Sequence, residues 1–209
     1  LWDLECKRSG RTIWELLDME PAPLRTVYTI GMENSVEAMA SKVVEARSHR
    51  LFKVKLDGRQ PVERMQAIRH AHETASLVVD ANQGWTYEQL TTVAPALAEL
   101  GVEMIEQPLP RGNDAVLADY NSPVPLCADE SCLHVGDLEY VSSRYQMINI
   151  KLDKAGGLTH GFELAQAARS SGLKVMVGCM GGTSLAMAPA YVLGCICDLV
   201  DIDGPLLLK

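Results

Sequence analysis

The sequence predicts a closed barrel of parallel β-strands alternating with α-helices, and three observations carry that prediction. First, apolar runs that end in charge recur along the chain. They read FKVK (Lys53, Lys55), LVVD (Asp80), EMIEQP (Glu106), PLCADE (Asp129, Glu130), INIK (Lys151) and DLVDID (Asp201, Asp203). The intervals from Lys53 through Asp80, Glu106, Asp129 and Lys151 to Asp201 are 27, 26, 23, 22 and 50 residues. The run KVMVGCM, ending near Cys179, divides the last interval into 28 and 22. A strand, a turn and a helix returning to the next parallel strand take about this length. Second, the runs are nearly continuous in Val, Ile and Leu, which suits strands covered on both faces. Third, no glycine-rich dinucleotide fingerprint follows the first strand, which weighs against an open doubly wound sheet. Eight such strands close most simply into a TIM-type (β/α) barrel, here expected as (β/α)7β, with its active site at the C-terminal strand ends.

The elements follow in order. Residues 1–17 place Leu1, Leu4, Ile13, Leu16 and Leu17 on a helical period, with Gly10 a point of interruption and Pro21 and Pro23 ending the pattern. TVYTIGM (26–32) is the first strand, and Ser35 is positioned to cap the helix that follows. FKVKL leads to a helix opened by Pro61, a residue suited to a first turn. SLVVDAN leads to TYEQLTTVAPALAEL, and VEMIEQ to a short, less regular segment around 113–120. VPLCADES precedes VGDLEYVSS, MINIKL precedes LTHGFELAQAARSSG, and KVMVGCM precedes TSLAMAPAYVLG. DLVDID is the eighth strand. With no linker or low-complexity tract, residues 1–209 read as one catalytic barrel domain.

Composition narrows the partners. A net charge of −8 and a pI near 5.1 argue against nucleic acid or an anionic membrane surface, and no basic stripe interleaves with aromatics. No apolar run reaches the roughly eighteen residues of a transmembrane helix, and the N-terminus has no signal-peptide pattern. The six cysteines are Cys6, Cys127, Cys132, Cys179, Cys195 and Cys197. Most lie in or beside apolar runs, so they read as reduced thiols of a cytoplasmic protein. Cys195 and Cys197 form a C-x-C with no second pair to complete a zinc set, and read as core. A small molecule is the expected partner, and the sequence leaves a homo-oligomer open.

The strand ends define the chemistry. Asp80, Glu106 and Asp129 would end the third, fourth and fifth strands, where three neighbouring carboxylates repel one another. A hard divalent cation relieves that repulsion, and oxygen ligands favour magnesium or manganese. One such acid alone would more often be a solvated loop charge; three in register with lysines are not. Lys55 and Lys151 would stand on the second and sixth strands, on opposite sides of the mouth. There burial and a nearby cation can lower a lysine's pKa and make it a base. Lys53 shares a strand face with Lys55 and is expected to hydrogen-bond a substrate carboxylate. Lys154 reads as a surface charge in a loop. The five histidines read as surface residues, His49 and His160 in or near connections, and Asn82 and Gln107 as neighbours supporting the metal ligands.

In this order, K-V-K, D-A-N-Q-G-W, E-Q-P, A-D-E-S and N-I-K-L resemble the barrel domain of the enolase superfamily, muconate lactonizing enzyme subgroup. The resemblance covers essentially the whole chain. It implies that Lys55 and Lys151 are the acid/base pair, that Asp80, Glu106 and Asp129 bind Mg2+, and that Lys53 helps hold the carboxylate. The implied reaction removes a proton next to a carboxylate and stabilises the enediolate with metal.

D-I-D-G-P (201–205) further resembles the eighth strand of dipeptide epimerases, where the two aspartates, here Asp201 and Asp203, bind the ammonium group of a dipeptide. They share a strand face and are expected to converge on one cation. Cys179 and Met180, ending the seventh strand, are expected to line the substrate pocket, without Cys179 acting as a nucleophile. The expected activity is Mg-dependent epimerisation of a dipeptide's C-terminal residue by two lysines. A muconate-type cycloisomerase or an o-succinylbenzoate synthase-like lyase is the alternative, disfavoured because such substrates lack an ammonium. A non-catalytic metal-binding barrel and a Schiff-base aldolase leave the lysine pair or the acid trio unexplained. The capping domain that accompanies such barrels has no match here, and the chain reads as a segment of a longer protein.

Overall fold

The computed structural model describes residues 1–208; Lys209 lies outside the described residues. The eight strands are β1 (Tyr28–Ile30), β2 (Leu51–Lys55), β3 (Ser76–Asp80), β4 (Val102–Glu106), β5 (Leu126–Ala128), β6 (Met147–Lys151), β7 (Lys174–Gly178) and β8 (Leu199–Val200). They form one parallel sheet in sequence order. A parallel bridge from Thr26 to Val200, with Val27 N–H donating to Val200 O at 2.9 Å, brings the last strand back to the first. The sheet is thus a barrel, which removes its edges and excludes the open doubly wound alternative.

Helices return the chain between strands. They are α1 (Trp2–Ser9), α2 (Ile13–Leu17), α3 (Val36–Glu45), α4 (Pro61–Ala71), α5 (Tyr87–Glu99), α6 (Leu138–Val141), α7 (Leu152–Ala155), α8 (Leu158–Ser170) and α9 (Ser184–Gly194). Ser35 caps α3 by accepting from Ala38 N–H, and Pro61 opens α4, as expected. The predicted opening helix is two helices. Gly10 takes a left-handed conformation (φ 68°) that ends α1, and Thr12 with Glu15 forms a capping box that starts α2. The first strand is also shorter than expected, and the segment around 113–120 holds a 3-10 turn at Ala115–Asp119. His160 sits in the first turn of α8, next to the connection that precedes it.

Two apolar cores follow from strand alternation. Side chains pointing outward, such as Phe52, Val54, Leu77, Val79, Ile105, Ile148 and Ile150, pack under the helices. Those pointing inward form a separate plug of Val27, Leu51, Val78, Met104, Cys127, Met147 and Met176, with Leu199 against it. Successive strand residues alternate faces, so the residue two positions after each plug member also points inward, one layer higher. Those residues are Thr29, Lys53, Asp80, Glu106, Asp129, Asn149, Gly178 and Asp201. The apolar plug is therefore the floor, and the charged residues are the layer that stands on it.

All six cysteines are free. Cys195 and Cys197 are half-buried rather than core, Cys197 packing against the outer layer. No helix among the described residues is long and apolar enough to cross a membrane.

Candidate active site

The layer above the plug is nearly sealed by the strands. Asp80, Glu106 and Asp129 are each 1% exposed or less, and Lys53 is 2% exposed. Register brings them together, since Lys55 pairs with Asp80, Asp80 with Glu106, and Glu106 with Cys127, two residues before Asp129.

Ammonium groups compensate the acids. Lys53 Nζ lies 2.7 Å from Glu106 Oε2, 2.7 Å from Asp201 Oδ2 and 3.0 Å from Asp80 Oδ2. All three contacts are to the protein's own acids, which hold the Lys53 ammonium group in the buried layer. Lys55 Nζ donates to Asp80 Oδ2 at 2.6 Å and to Asn82 Oδ1 at 2.7 Å. Lys151 Nζ donates to Asp129 Oδ2 at 2.6 Å. Lys154, expected on the surface, belongs to α7 and reaches Asp129 Oδ1 at 2.9 Å. The one-turn helix directly after β6 points it back into the mouth, a turn that the sequence pattern does not announce.

The charges act unevenly on these acids. Burial would raise the pKa of Asp80, but Lys53 and Lys55 outweigh it and hold the carboxyl near 2. Glu106 goes the other way. Burial, together with the negative charges of Asp80 and Asp129, outweighs Lys53 and lifts its carboxyl to about 7. Its Oε2 is buried with Lys53 beside it but no hydrogen bond of good geometry, while Oε1 accepts from Asn149 Nδ2 at 2.7 Å. For Lys151, burial acts to lower the pKa, yet Asp129 and Glu106 prevail and raise it. With no cation on the acids, their attraction for the ammonium outweighs the burial expected to lower its pKa.

An under-bonded buried carboxylate with a raised pKa, between two other carboxylates, is what a hard divalent cation would relieve. The all-oxygen donor set of Asp80, Glu106 and Asp129 fits Mg2+ or Mn2+.

Asp201 and Asp203 lie just past β8. Asp203 Oδ2 accepts from Thr29 N–H at 2.7 Å, and Asp201 is held by Lys53. Ligand atoms of Asp201, Asp203 and Cys179 lie within 4.8 Å of one another. The two acids thus converge as expected, although each already has a partner. Burial and the neighbouring Asp201 raise the Asp203 carboxyl, and burial raises the Cys179 thiol, which keeps it protonated and unreactive. Met180 is 46% exposed beyond the end of β7.

Sequence reasoning missed Asn149 and Thr29. Asn149 stands two residues before Lys151, the spacing that placed Lys53 beside Lys55, so the signal was available. Gly178 leaves room for it, since a Cβ there would fall 2.5 Å from Asn149 Oδ1.

Comparison with known proteins places the chain among characterised relatives. Residues 35–202 match the family described as enolase C-terminal domain-like. An N-acetyl-D-glutamate racemase of Pseudoalteromonas sp is 45% identical over 208 residues, covering 100% of this chain and 66% of the relative. An L-Ala-D/L-Glu epimerase of Escherichia coli (strain K12) is 43% identical over 208 residues, covering 98% of this chain and 64% of the relative. A solved dipeptide epimerase from Methylococcus capsulatus, complexed with Mg and the dipeptide L-Arg-D-Lys, superposes with a TM-score of 0.89 at 29% identity. That match covers 98% of this chain and 61% of the other. The chain thus spans a little under two thirds of the relatives it matches. The family match takes in most of the chain, and the chain belongs to the enolase C-terminal domain-like family.

Proposed function

We propose that this barrel epimerises a dipeptide at the α-carbon of its C-terminal residue. The observation that carries the reading is the placement of Lys55 and Lys151. They end β2 and β6, four strands apart in an eight-stranded barrel, with the acidic layer between them. Two amines facing each other across a planar intermediate can serve one face each. In this reading one lysine, as the free amine, takes the α-proton, and the electron pair of the broken C–H bond delocalises into the carboxylate as an enediolate. The other lysine, as the ammonium, returns a proton to the opposite face and inverts the centre. Asp80, Glu106 and Asp129 hold Mg2+, or Mn2+, which when bound supplies positive charge beside the substrate carboxylate. Asp201 and Asp203 face the substrate ammonium, and the apolar plug beneath the layer keeps water from entering from below.

A second reading is favoured by one pair of observations. The Pseudoalteromonas relative is named for an N-acetylated glutamate, which has no free ammonium, and Asp201 here is already paired with Lys53. An L-Ala-Glu dipeptide is itself an N-acyl glutamate, so the two readings share the proton transfer and differ only at the acyl end.

The test is Mg2+-dependent exchange of α-protons in D2O, run with the whole protein against a dipeptide library and N-acetyl-glutamate. Exchange with dipeptides supports the first reading, exchange with N-acetyl-glutamate alone supports the second, and none with either sinks both. Lys55→Ala and Lys151→Ala should each abolish epimerisation, while exchange from one stereoisomer survives. Full epimerisation in both variants would refute the two-base assignment.

A further inference from the structure

Behind the acidic layer lies a buried polar network that the reaction above leaves unused. Asp114, in the segment after β4, is fully buried and makes no salt bridge among the described residues. Its carboxylate is held by hydroxyls instead. Oδ2 accepts from Ser131 Oγ at 2.5 Å and Tyr145 Oη at 2.6 Å, and Oδ1 accepts from Tyr140 Oη at 2.7 Å. Gln107 continues the network. Its Nε2 donates to Ser131 Oγ at 2.9 Å, Tyr145 Oη at 3.1 Å and Leu109 O at 2.8 Å. Its Oε1 accepts from the backbone N–H groups of Asp129, at 3.0 Å, and Ser131, at 3.1 Å.

Direction is what makes this more than packing. An ionised carboxylate only accepts, so Asp114 takes the protons of Ser131 and Tyr145 and leaves their oxygens as acceptors. Those acceptors, together with the Leu109 carbonyl, hold Nε2 on their side, and the backbone N–H groups of Asp129 and Ser131 take Oε1. Gln107 has φ 34°, a left-handed conformation rare outside glycine, so the fold holds it there against its backbone preference. Burying a carboxylate without a cation is costly, and apolar side chains would fill the same space more stably.

We propose that Asp114 is a positioning residue for the Asp129 carboxylate, acting through Ser131, Tyr145 and Gln107; its consequence for metal rests on the role proposed above for Asp129. In Asp114→Asn the new Nδ2 cannot accept, so a hydroxyl must reverse and turn its proton toward Gln107 Nε2, and that donor–donor conflict pushes the amide away from the Asp129 and Ser131 N–H groups. Tyr145→Phe removes one hydroxyl and is the milder companion if Asp114→Asn folds poorly. Leu117→Ala, a buried residue of the same segment outside the network, is the control for simple destabilisation.

The experiment measures Mn2+ affinity by calorimetry, amide hydrogen exchange across 127–132 and thermal midpoint, in the whole protein. Asp114→Asn is expected to weaken Mn2+ binding about 10- to 100-fold, Tyr145→Phe less, with faster exchange at the Asp129 and Ser131 amides. Leu117→Ala should lower the midpoint and keep the parent affinity. Unchanged affinity and exchange in Asp114→Asn overturn the proposal, as does an equal loss of affinity in Leu117→Ala. If the parent itself binds no Mn2+, the metal reading of Asp129 fails separately. The exchange data alone then decide, faster exchange sustaining the positioning role and unchanged exchange overturning it.

Discussion

Raising the pH from 5 to 8 in the presence of a chelator should destabilise this chain, and Glu106 should account for most of the effect. Its carboxyl ordinarily titrates near 4.5 and is lifted to about 7 by burial and by Asp80 and Asp129. Between those values the folded state holds a proton that the unfolded state has lost, so stability is highest below 4.5 and falls as pH rises through 7. At about 1.36 kcal/mol per pH unit the loss is about 3 kcal/mol. For a domain of this size that lowers the thermal midpoint by about 6–12 °C. Asp80 does not contribute in this window, because its depressed carboxyl is ionised in both states above its ordinary value of 3.8. Asp203 and Glu130, raised first by burial, act in the same direction, so the parent alone does not isolate Glu106. Glu106→Gln does. Calorimetric midpoints of both proteins from pH 5 to 8 should diverge, the variant losing about 3 kcal/mol less across the range. Mg2+ at pH 8 should restore the parent and leave the variant unmoved. Parallel curves for parent and variant would refute the assignment of the titration to Glu106. A parent indifferent to Mg2+ would refute the metal site.

Lys53→Met should cost about 3–5 kcal/mol in chelator, since it strands Asp80, Glu106 and Asp201 around a lost charge. Urea denaturation measures it, and a loss under about 1 kcal/mol would show that the acids find other partners. Gly178→Ala would place a Cβ 2.5 Å from Asn149 Oδ1 and push the amide off Glu106. Calorimetry should then find Mg2+ bound about 10- to 100-fold more weakly, and unchanged affinity would remove Asn149 from the site. Asp201→Asn should raise KM for a dipeptide much more than KM for N-acetyl-glutamate. Equal effects on both would mean that Asp201 serves Lys53 and not a substrate ammonium.

The fold was legible because periodicity states it directly. Eight β-like runs at a spacing of one strand and one helix leave few topologies, and the inward alternation puts Lys53, Asp80, Glu106, Asp129 and Asp201 on one layer once the plug residues are recognised. What periodicity does not report is where a strand stops and a turn redirects the chain. Lys154 shows the consequence. Three residues beyond Lys151, it reads as a loop charge, and only the helical turn Leu152–Ala155 returns it to Asp129. The opening helix fails for a related reason, since Gly10 breaks a pattern that side-chain spacing alone continues. Asp114 is harder still. It is joined to Ser131, Tyr140 and Tyr145 across 17, 26 and 31 residues of sequence, in a segment with no regular pattern, and nothing local marks it as buried.

The expected lysine of lowered pKa also shows how the parts depend on one another. Four carboxylates (Asp80, Glu106, Asp129, Asp201) face four ammonium groups (Lys53, Lys55, Lys151, Lys154) at 3.0 Å or less. A lysine whose proton neutralises a buried carboxylate is a poor base, and Lys151 is held in that condition by Asp129 and Glu106. Burial pulls the other way on the same amine. Positive charge placed on Asp129 and Glu106 by a divalent cation weakens the interactions that raise the Lys151 pKa and leaves burial to lower it. The acids that a metal needs and the amine that the reaction needs are therefore one electrostatic unit. A lysine as base and a metal on the carboxylates are not separate requirements of the proposed chemistry, since the second is the condition for the first.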